Sequence, residues 1–392
     1  MAYFHDFFAL CLEEKLIKLK ILFTIPNFDT AGSGKALLNV AKNLDKHIFE
    51  PQIACFHNRG KYFKVVEKEG IPVHIYQTSH EMIPRFKGLI NCIKLAKYFK
   101  MLKVDLIHSF HYGADYSEAL ASKIAGIPWV YTKKNMNWGG LSKNGWYIRS
   151  LLSKHILVQN NDMIKEFFPN SNKLTLVQRG VNLLEFKKSK KNEYLLEKYN
   201  LKSEFKIILC VANLHPAKGV EVLIESFLII SRTKPNIKLF IVGENNNEYA
   251  ESLMQISRKS KHAHNIIFTG KVFDVKKFYS IADLFILPTL SKGRREGCPV
   301  SLLEAIASGV SVLGSEVSGI KDILKDYDDA LFEPDNVIEL SKKIEEKLFT
   351  NKNKNKKLDL KIFKHIKDNF DVKIESFKHG EIYKKILKKK EN

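Results

Sequence analysis

Nowhere does the 392-residue chain hold the roughly 18 uninterrupted apolar residues that a membrane-spanning helix needs, so no span is expected. The opening MAYFHDFFALCL has neither a basic leading region nor a small-residue cleavage site, which argues against a secretory signal. Only five cysteines occur, Cys11, Cys55, Cys92, Cys210 and Cys298, an odd count scattered among apolar segments without metal-ligand spacing. That pattern excludes a disulfide scaffold, gives no metal site, and fits a reducing, cytoplasmic compartment. Acidic residues are also short, 43 against 64 Lys and Arg, for a formal charge of +21. The basic clusters lie at 187–191, 351–366 and 384–390, on polar, Asn-rich stretches and the tail, not in a compact basic and aromatic patch. A nucleic-acid partner is therefore not expected. The excess reads as solvated surface that can also attract phosphates or touch an anionic membrane at the inner face of the cell.

Two nucleotide-binding motifs are missing as well. GSGK at Gly32–Lys35 resembles the end of a P-loop, but Asp29 stands where that motif needs Gly and Ala36 where it needs Ser or Thr. A GxGxxG dinucleotide fingerprint fails at Leu37, which removes the main support for an NAD dehydrogenase.

What the chain does have is length for two cores and a repeated βα rhythm. Its 392 residues, 45% of them hydrophobic, exceed the roughly 250 to 300 at which one core stops growing. From Lys18, apolar strand patterns such as KLKILFT, IACFH, VDLIHSF and IPWVYTKK alternate with helix patterns such as GSGKALLNVAKNL and SEALASKIAG. The rhythm restarts at FKIILCVANL and continues through IKLFIVG, NIIFTG and DLFILPT. Two doubly wound parallel-sheet domains are expected, at residues 18–187 and 204–365. Around them come an extension at 1–17, a charged linker at 188–203 and a helical tail at 366–392. Ligands bind at the carboxyl ends of strands in such sheets, so two facing domains suit a two-substrate enzyme.

The most informative stretch is Glu296 to Leu324, EGCPVSLLEAIASGVSVLGSEVSGIKDIL. Pro299 suits a first helical turn, VSLLEAIA is good helix material, and Gly309 is a natural stop before an apolar strand. Glu296 then precedes the helix, and Glu304 stands about 7 Å along it. Unpaired N–H groups around Gly297, Cys298, Pro299 and Val300 make an anion site. A sugar nucleotide fits all three features, with its diphosphate at the helix start, ribose hydroxyls on Glu304 and sugar hydroxyls on Glu296. Isolated surface glutamates are the bland alternative, which the flanking Pro299 and glycines oppose.

Other candidates cluster at expected strand ends. Gly32, Ser33 and Gly34, between the first strand and its helix, allow close backbone approach to a phosphate or sugar. Lys218, before a helix, can neutralise a diphosphate leaving group, and Arg294 or Arg295 can point toward phosphate. His108 and His111 end the strand VDLIHSFH, where a neutral imidazole can donate or accept a hydrogen bond, and no further ligands make them a metal site. Asp115 and Glu118 are expected to cap a helix or face solvent. An acceptor would meet the first domain at TKKNMNW, through Lys133, Lys134, Asn135 and Trp138.

From roughly Lys18 to Tyr383 the chain resembles family 4 of the retaining glycosyltransferases, whose fold is GT-B, two Rossmann-like domains facing across a cleft. The Glu296-x7-Glu304 block carries the likeness, supported by VQRGVNLLEF at 177–186, VANLHPAKG at 211–219, IVGEN at 241–245 and FYSIADLFILPT at 278–289. By this resemblance Glu304 binds ribose, Glu296 the transferred sugar, Lys218 the diphosphate, and His111 lies beside the sugar. It further implies transfer with retained configuration and a C-terminal helix, near Phe370–Leu387, crossing back to the first domain. The chain departs from the family at Asn213, where an Arg commonly shares the diphosphate, at Arg179, where Asn is usual, and at Ser311, where Pro is frequent. Arg294 or Arg295 could supply the charge that Asn213 lacks.

The expected activity is sugar transfer from a nucleoside-diphosphate sugar to a hydroxyl of a glycan or lipid-linked acceptor, as in cell-surface polysaccharide synthesis. The arrangement requires no divalent metal and no cofactor besides the donor. Two rivals share parts of the pattern: a GT-B sugar-nucleotide epimerase, which has no acceptor, and a non-catalytic basic protein binding anionic ligands.

Overall fold

The computed structural model describes residues 18–29, 31–60, 62–137, 143–293, 295–350 and 352–388. The expected extension at 1–17 and the candidates Arg294 and Trp138 lie outside the described residues.

Seven strands form the first sheet: β1 (Leu19–Thr24), β2 (Phe49–Cys55), β3 (Val73–Ile75), β4 (Leu106–Ser109), β5 (Trp129–Lys133), β6 (His155–Val158) and β7 (Leu174–Leu176). Their order is β3-β2-β1-β4-β5-β6-β7, with every pairing parallel. Six more form the second: β8 (Lys206–Val211), β9 (Ile237–Val242), β10 (Ile266–Gly270), β11 (Leu284–Leu287), β12 (Ser311–Ser315) and β13 (Leu331–Phe332). Their order, β10-β9-β8-β11-β12-β13, is again parallel throughout. Both sheets therefore start the 3-2-1-4-5-6 order of a doubly wound fold, with switch points between β1 and β4 and between β8 and β11. The continuous apolar runs in β8 and β11 follow from burial on both faces, since separate apolar clusters lie on either side of each sheet.

Segment 188–203 is folded, unlike the charged linker its composition suggests. It contains the helix Glu193–Lys198, capped by the Asn192 side chain, which accepts from Leu195 N at 3.1 Å. Leu195, on that helix, and Leu201, just beyond its end, are buried in the second domain, with Leu196 and Tyr199 packed beside them. At the other end, the expected boundary near 365 falls inside the helix Lys352–Asn369. The break comes at Phe370–Asp371, where Asp371 pairs with Val181 as an isolated parallel bridge. The next helix, Val372–Lys388, packs on Ala31–Asn43, and Ile382, Tyr383 and Ile386 join the first domain's core. Tyr383 Oη lies 2.6 Å from His108 Nδ1, so His108 is a buried joint of that crossing, tied to Thr132 Oγ1 at 2.8 Å on its other side.

Candidate functional site

Lys218 is aimed by a tight turn after β8. In Pro216–Lys218 the His215 ring accepts from Ala217 N at 3.2 Å, and Gly219 follows at φ +60°. A Cβ on Gly219 would lie 2.2 Å from Pro288 O, so the close approach to the loop after β11 also demands glycine. That loop carries Glu296, whose carboxylate pairs with the Lys218 ammonium and accepts from Thr289 Oγ1 at 3.2 Å. The two side chains thus come from strands flanking the second switch point. Asn213, from the same β8 loop as Lys218, is exposed.

Glu304 stands within the helix Val300–Ala307, whose N-cap is Pro299, and its side chain is 9% exposed. Tyr279 Oη donates to one carboxylate oxygen at 3.2 Å, and Lys35 Nζ, from the first domain, donates to the other at 2.9 Å. Burial pushes the Glu304 carboxyl above its usual range, opposed by the Lys35 ammonium. Both glutamates therefore line the junction between the domains, each held by a lysine. They are not surface glutamates.

A set of contacts across the cleft fixes this junction. Asn160 caps the helix Asn161–Phe167, accepting from Met163 N at 2.8 Å, while its Nδ2 donates to Glu296 O at 3.1 Å and Gly297 O at 2.8 Å. Asp162 takes bonds from Ser318 Oγ at 2.7 Å and Lys321 Nζ at 2.8 Å. Arg295 donates to both oxygens of Glu166, at 2.6 and 2.8 Å. Its guanidinium therefore faces the first domain and is not turned toward the helix start, so it does not stand in for the charge missing at Asn213.

Gly32, Ser33 and Gly34 occupy the first turn of the helix Ala31–Asn43, not a loop. Gly34 is small because the Phe28 ring lies where a Cβ would go, at 2.6 Å, and Ser33 Oγ contacts Tyr112 Oη. Gly32, by contrast, has open space at that position. Lys133 is buried and donates to the carbonyls of Asn135 and Asn137, so it holds its own loop and does not face an acceptor. Lys134 sits over the Tyr112 ring, 3.8 Å from its centroid, and donates to Phe110 O.

His111 is buried, with Nε2 3.0 Å from Thr78 Oγ1. Burial, with help from Arg149 and Lys134, lowers its pKa well below the usual value, so the ring is neutral. Glu118 is fully buried rather than solvated. It accepts from Ser109 Oγ at 2.6 Å, and burial raises its pKa to about 7 despite Arg149. Asp115 does act locally, accepting from Ser117 N at 3.0 Å. Cys298 is a buried thiol raised to about 12 by desolvation, which suits packing below the helix start and not nucleophilic work.

Lys35, Tyr279, Thr289 and Asn160 belong to the site and were not singled out from the sequence. Lys35 is the lysine of GSGK, and Tyr279 lies inside the motif FYSIADLFILPT.

Two facing doubly wound domains with this cleft define a GT-B protein. One family model, Glycosyl transferases group 1, matches residues 191–365, and a second, Glycosyltransferase Family 4, matches residues 30–183. A curated relative from Campylobacter jejuni, N,N'-diacetylbacillosaminyl-diphospho-undecaprenol alpha-1,3-N-acetylgalactosaminyltransferase, is 28% identical over 322 residues, covering 75% of this chain and 82% of its own. Among solved structures, a glycosyltransferase from Rickettsia africae superposes with a TM-score of 0.83 at 23% identity, over 95% of this chain and 99% of that one. Anabaena HepE, in complex with UDP and glucose, superposes with a TM-score of 0.79 at 18% identity, over 93% and 99%. The chain belongs to family 4 of the glycosyltransferases and is a transferase enzyme.

Gly297 gives the cleft a direct test. A Cβ there would lie 2.1 Å from Lys134 O, a backbone atom of the opposite domain. Gly297→Ala should keep the domains apart, lowering transfer about a hundredfold through misplacement of the reacting groups, with the unfolding temperature nearly unchanged. Transfer rate and thermal melting, measured on the same preparation, check both halves.

Proposed function

We propose that the enzyme moves a sugar from a nucleoside-diphosphate sugar to a hydroxyl of a lipid-linked glycan, with retention of configuration, in cell-surface polysaccharide synthesis. The observation that carries this is the pairing of Glu296 with Lys218 and of Glu304 with Lys35 around the start of the helix Val300–Ala307. A donor offers each partner a replacement. Ribose hydroxyls donate to Glu304, sugar hydroxyls donate to Glu296, and the diphosphate takes the Lys218 ammonium and the backbone N–H groups of the helix start. The Campylobacter relative's name specifies an undecaprenol-diphosphate acceptor, and the Anabaena neighbour holds UDP and glucose, which supports the same substrate classes here.

The costly event is departure of the diphosphate as positive charge develops on the sugar. Lys218 and the N–H dipoles stabilise the leaving oxygens. In a same-face transfer the leaving phosphate oxygen accepts the proton of the attacking hydroxyl, which requires no separate protein base. The neutral His111 supplies a hydrogen bond near the sugar.

Thermal stabilisation by UDP-, GDP- and ADP-sugars tests the reading, with Glu304→Ala as the control. One donor should stabilise the native protein. The variant should bind it about ten- to a hundredfold more weakly, the worth of a charged hydrogen bond of about 1.5 to 3 kcal/mol. Equal donor affinity in the variant would remove the ribose role of Glu304.

A further inference from the structure

The helix Arg85–Met101 has two apolar faces. One, with Cys92, Leu95, Ala96 and Phe99, is buried in the first domain. The other consists of Phe86, Leu89, Ile90 and Ile93, at i, i+3, i+4 and i+7, and it is turned outward, with Phe86 78% exposed. Ile83, just before the helix, is 84% exposed. A surface helix ordinarily presents polar residues on its outer face, so a contiguous outward apolar stripe marks a docking surface.

Charge identifies the occupant. The helix carries Arg85, Lys87, Lys94, Lys97 and Lys100 and no acidic residue. Lys97 and Lys100 continue the line of Phe86 and Ile93 at helical spacing, so the outer face passes from apolar to cationic along its length. Acyl chains can take the apolar half and anionic headgroups the cationic half. Among the described residues no helix is long and apolar enough to cross a membrane, so such a contact lies along the surface.

We propose that the face formed by Ile83, Phe86, Leu89, Ile90 and Ile93, with its flanking cations, seats the enzyme on a bilayer containing anionic lipid. Thr78, the hydrogen-bond partner of His111, is only five residues before Ile83, at most about 18 Å of extended chain. The seat therefore brings the cleft within reach of an acceptor anchored in the same bilayer. That last step rests on the proposed lipid-linked acceptor, whereas the lipid contact itself does not.

The experiment is cosedimentation of the full chain with phosphatidylcholine vesicles, with and without phosphatidylglycerol. The wild type should bind the phosphatidylglycerol vesicles and lose binding as salt rises. The triple variant Phe86→Ser, Ile90→Ser, Ile93→Ser should lose binding about tenfold or more, since it removes three apolar anchors. Lys94→Gln, Lys97→Gln, Lys100→Gln should weaken it roughly a hundredfold at low salt. These are exposed side chains, so a matching thermal melt confirms that each variant is folded. Equal binding by wild type and both variants, or equal binding to neutral and anionic vesicles, overturns the proposal. So does a wild-type dimer that the serine variant converts to a monomer, because the stripe would then seat a second copy. Transfer to a short water-soluble acceptor should be unchanged in both variants, so failure of the lipid contact and failure of the transferase reading give different results.

Discussion

Lys218→Ala should lower kcat by about two to three orders of magnitude, equivalent to losing about 2.7 to 4 kcal/mol of transition-state stabilisation. The turn Pro216–Lys218 delivers the ammonium to a fixed place, with Gly219 locked against Pro288 O and the ammonium held on Glu296. In the proposed transfer, a cation so placed needs little rearrangement when negative charge grows on the leaving diphosphate. Its electrostatic effect therefore falls mainly on the transition state, and kcat should drop more than the KM for the donor rises. The contrary pattern, a raised KM with kcat intact, would make Lys218 a simple binding contact. Lys218 is partly solvated, with its side chain 21% exposed, which favours the lower end of the range. Asn213 sharpens the expectation, since it supplies no charge and Arg295 is bound to Glu166 on the other side of the cleft.

Some of this site could be read from the chain alone. Glu296 and Glu304 were legible because a proline, a short helix pattern and a glycine stop lie together in sequence and fix their spacing locally. The βα rhythm was legible for the same reason, each strand and helix being a local pattern. The role of Lys35 is hidden because its partner Glu304 is 269 residues away, and only the meeting of two domains joins them. The glycine run at Gly32–Gly34 read as a loop by propensity, yet Phe28 packing on Gly34 lets the helix begin earlier. Lys133 reads as an acceptor contact and Glu118 as a cap or solvent-facing group, because charged side chains are usually exposed. Local carbonyls satisfy the first and Ser109 the second, and neither arrangement leaves a mark in a residue pattern.

Arg179, one of the chain's departures from its family, should prove as important for stability as Lys218 for rate. Its guanidinium lies 3.2 Å from Glu375 on the returning C-terminal helix, and the same carboxylate accepts from Gly180 N at 2.7 Å. Both side chains are buried, and Gly180 packs so closely on Val372 that a Cβ would lie 2.5 Å from its Cα. Arg179→Ala leaves a carboxylate without its partner at this crossing, and the expected loss is about 3 to 5 kcal/mol. The pH dependence gives the sign. Burial already raises the Glu375 pKa above its usual value, opposed chiefly by Arg179, so removing Arg179 raises it further. A carboxyl whose folded pKa is raised keeps its contribution below the unfolded value and loses it as pH climbs through the folded one. The variant's deficit should therefore be small near about pH 5 and grow toward about pH 8, read from denaturant midpoints at both. A deficit that does not change with pH would mean that Arg179 stabilises the crossing by packing, for which its position 5.5 Å from the Phe110 ring offers the physical basis. Adding Glu375→Leu should restore part of the loss in the first case, because the uncompensated charge goes with it, and little in the second.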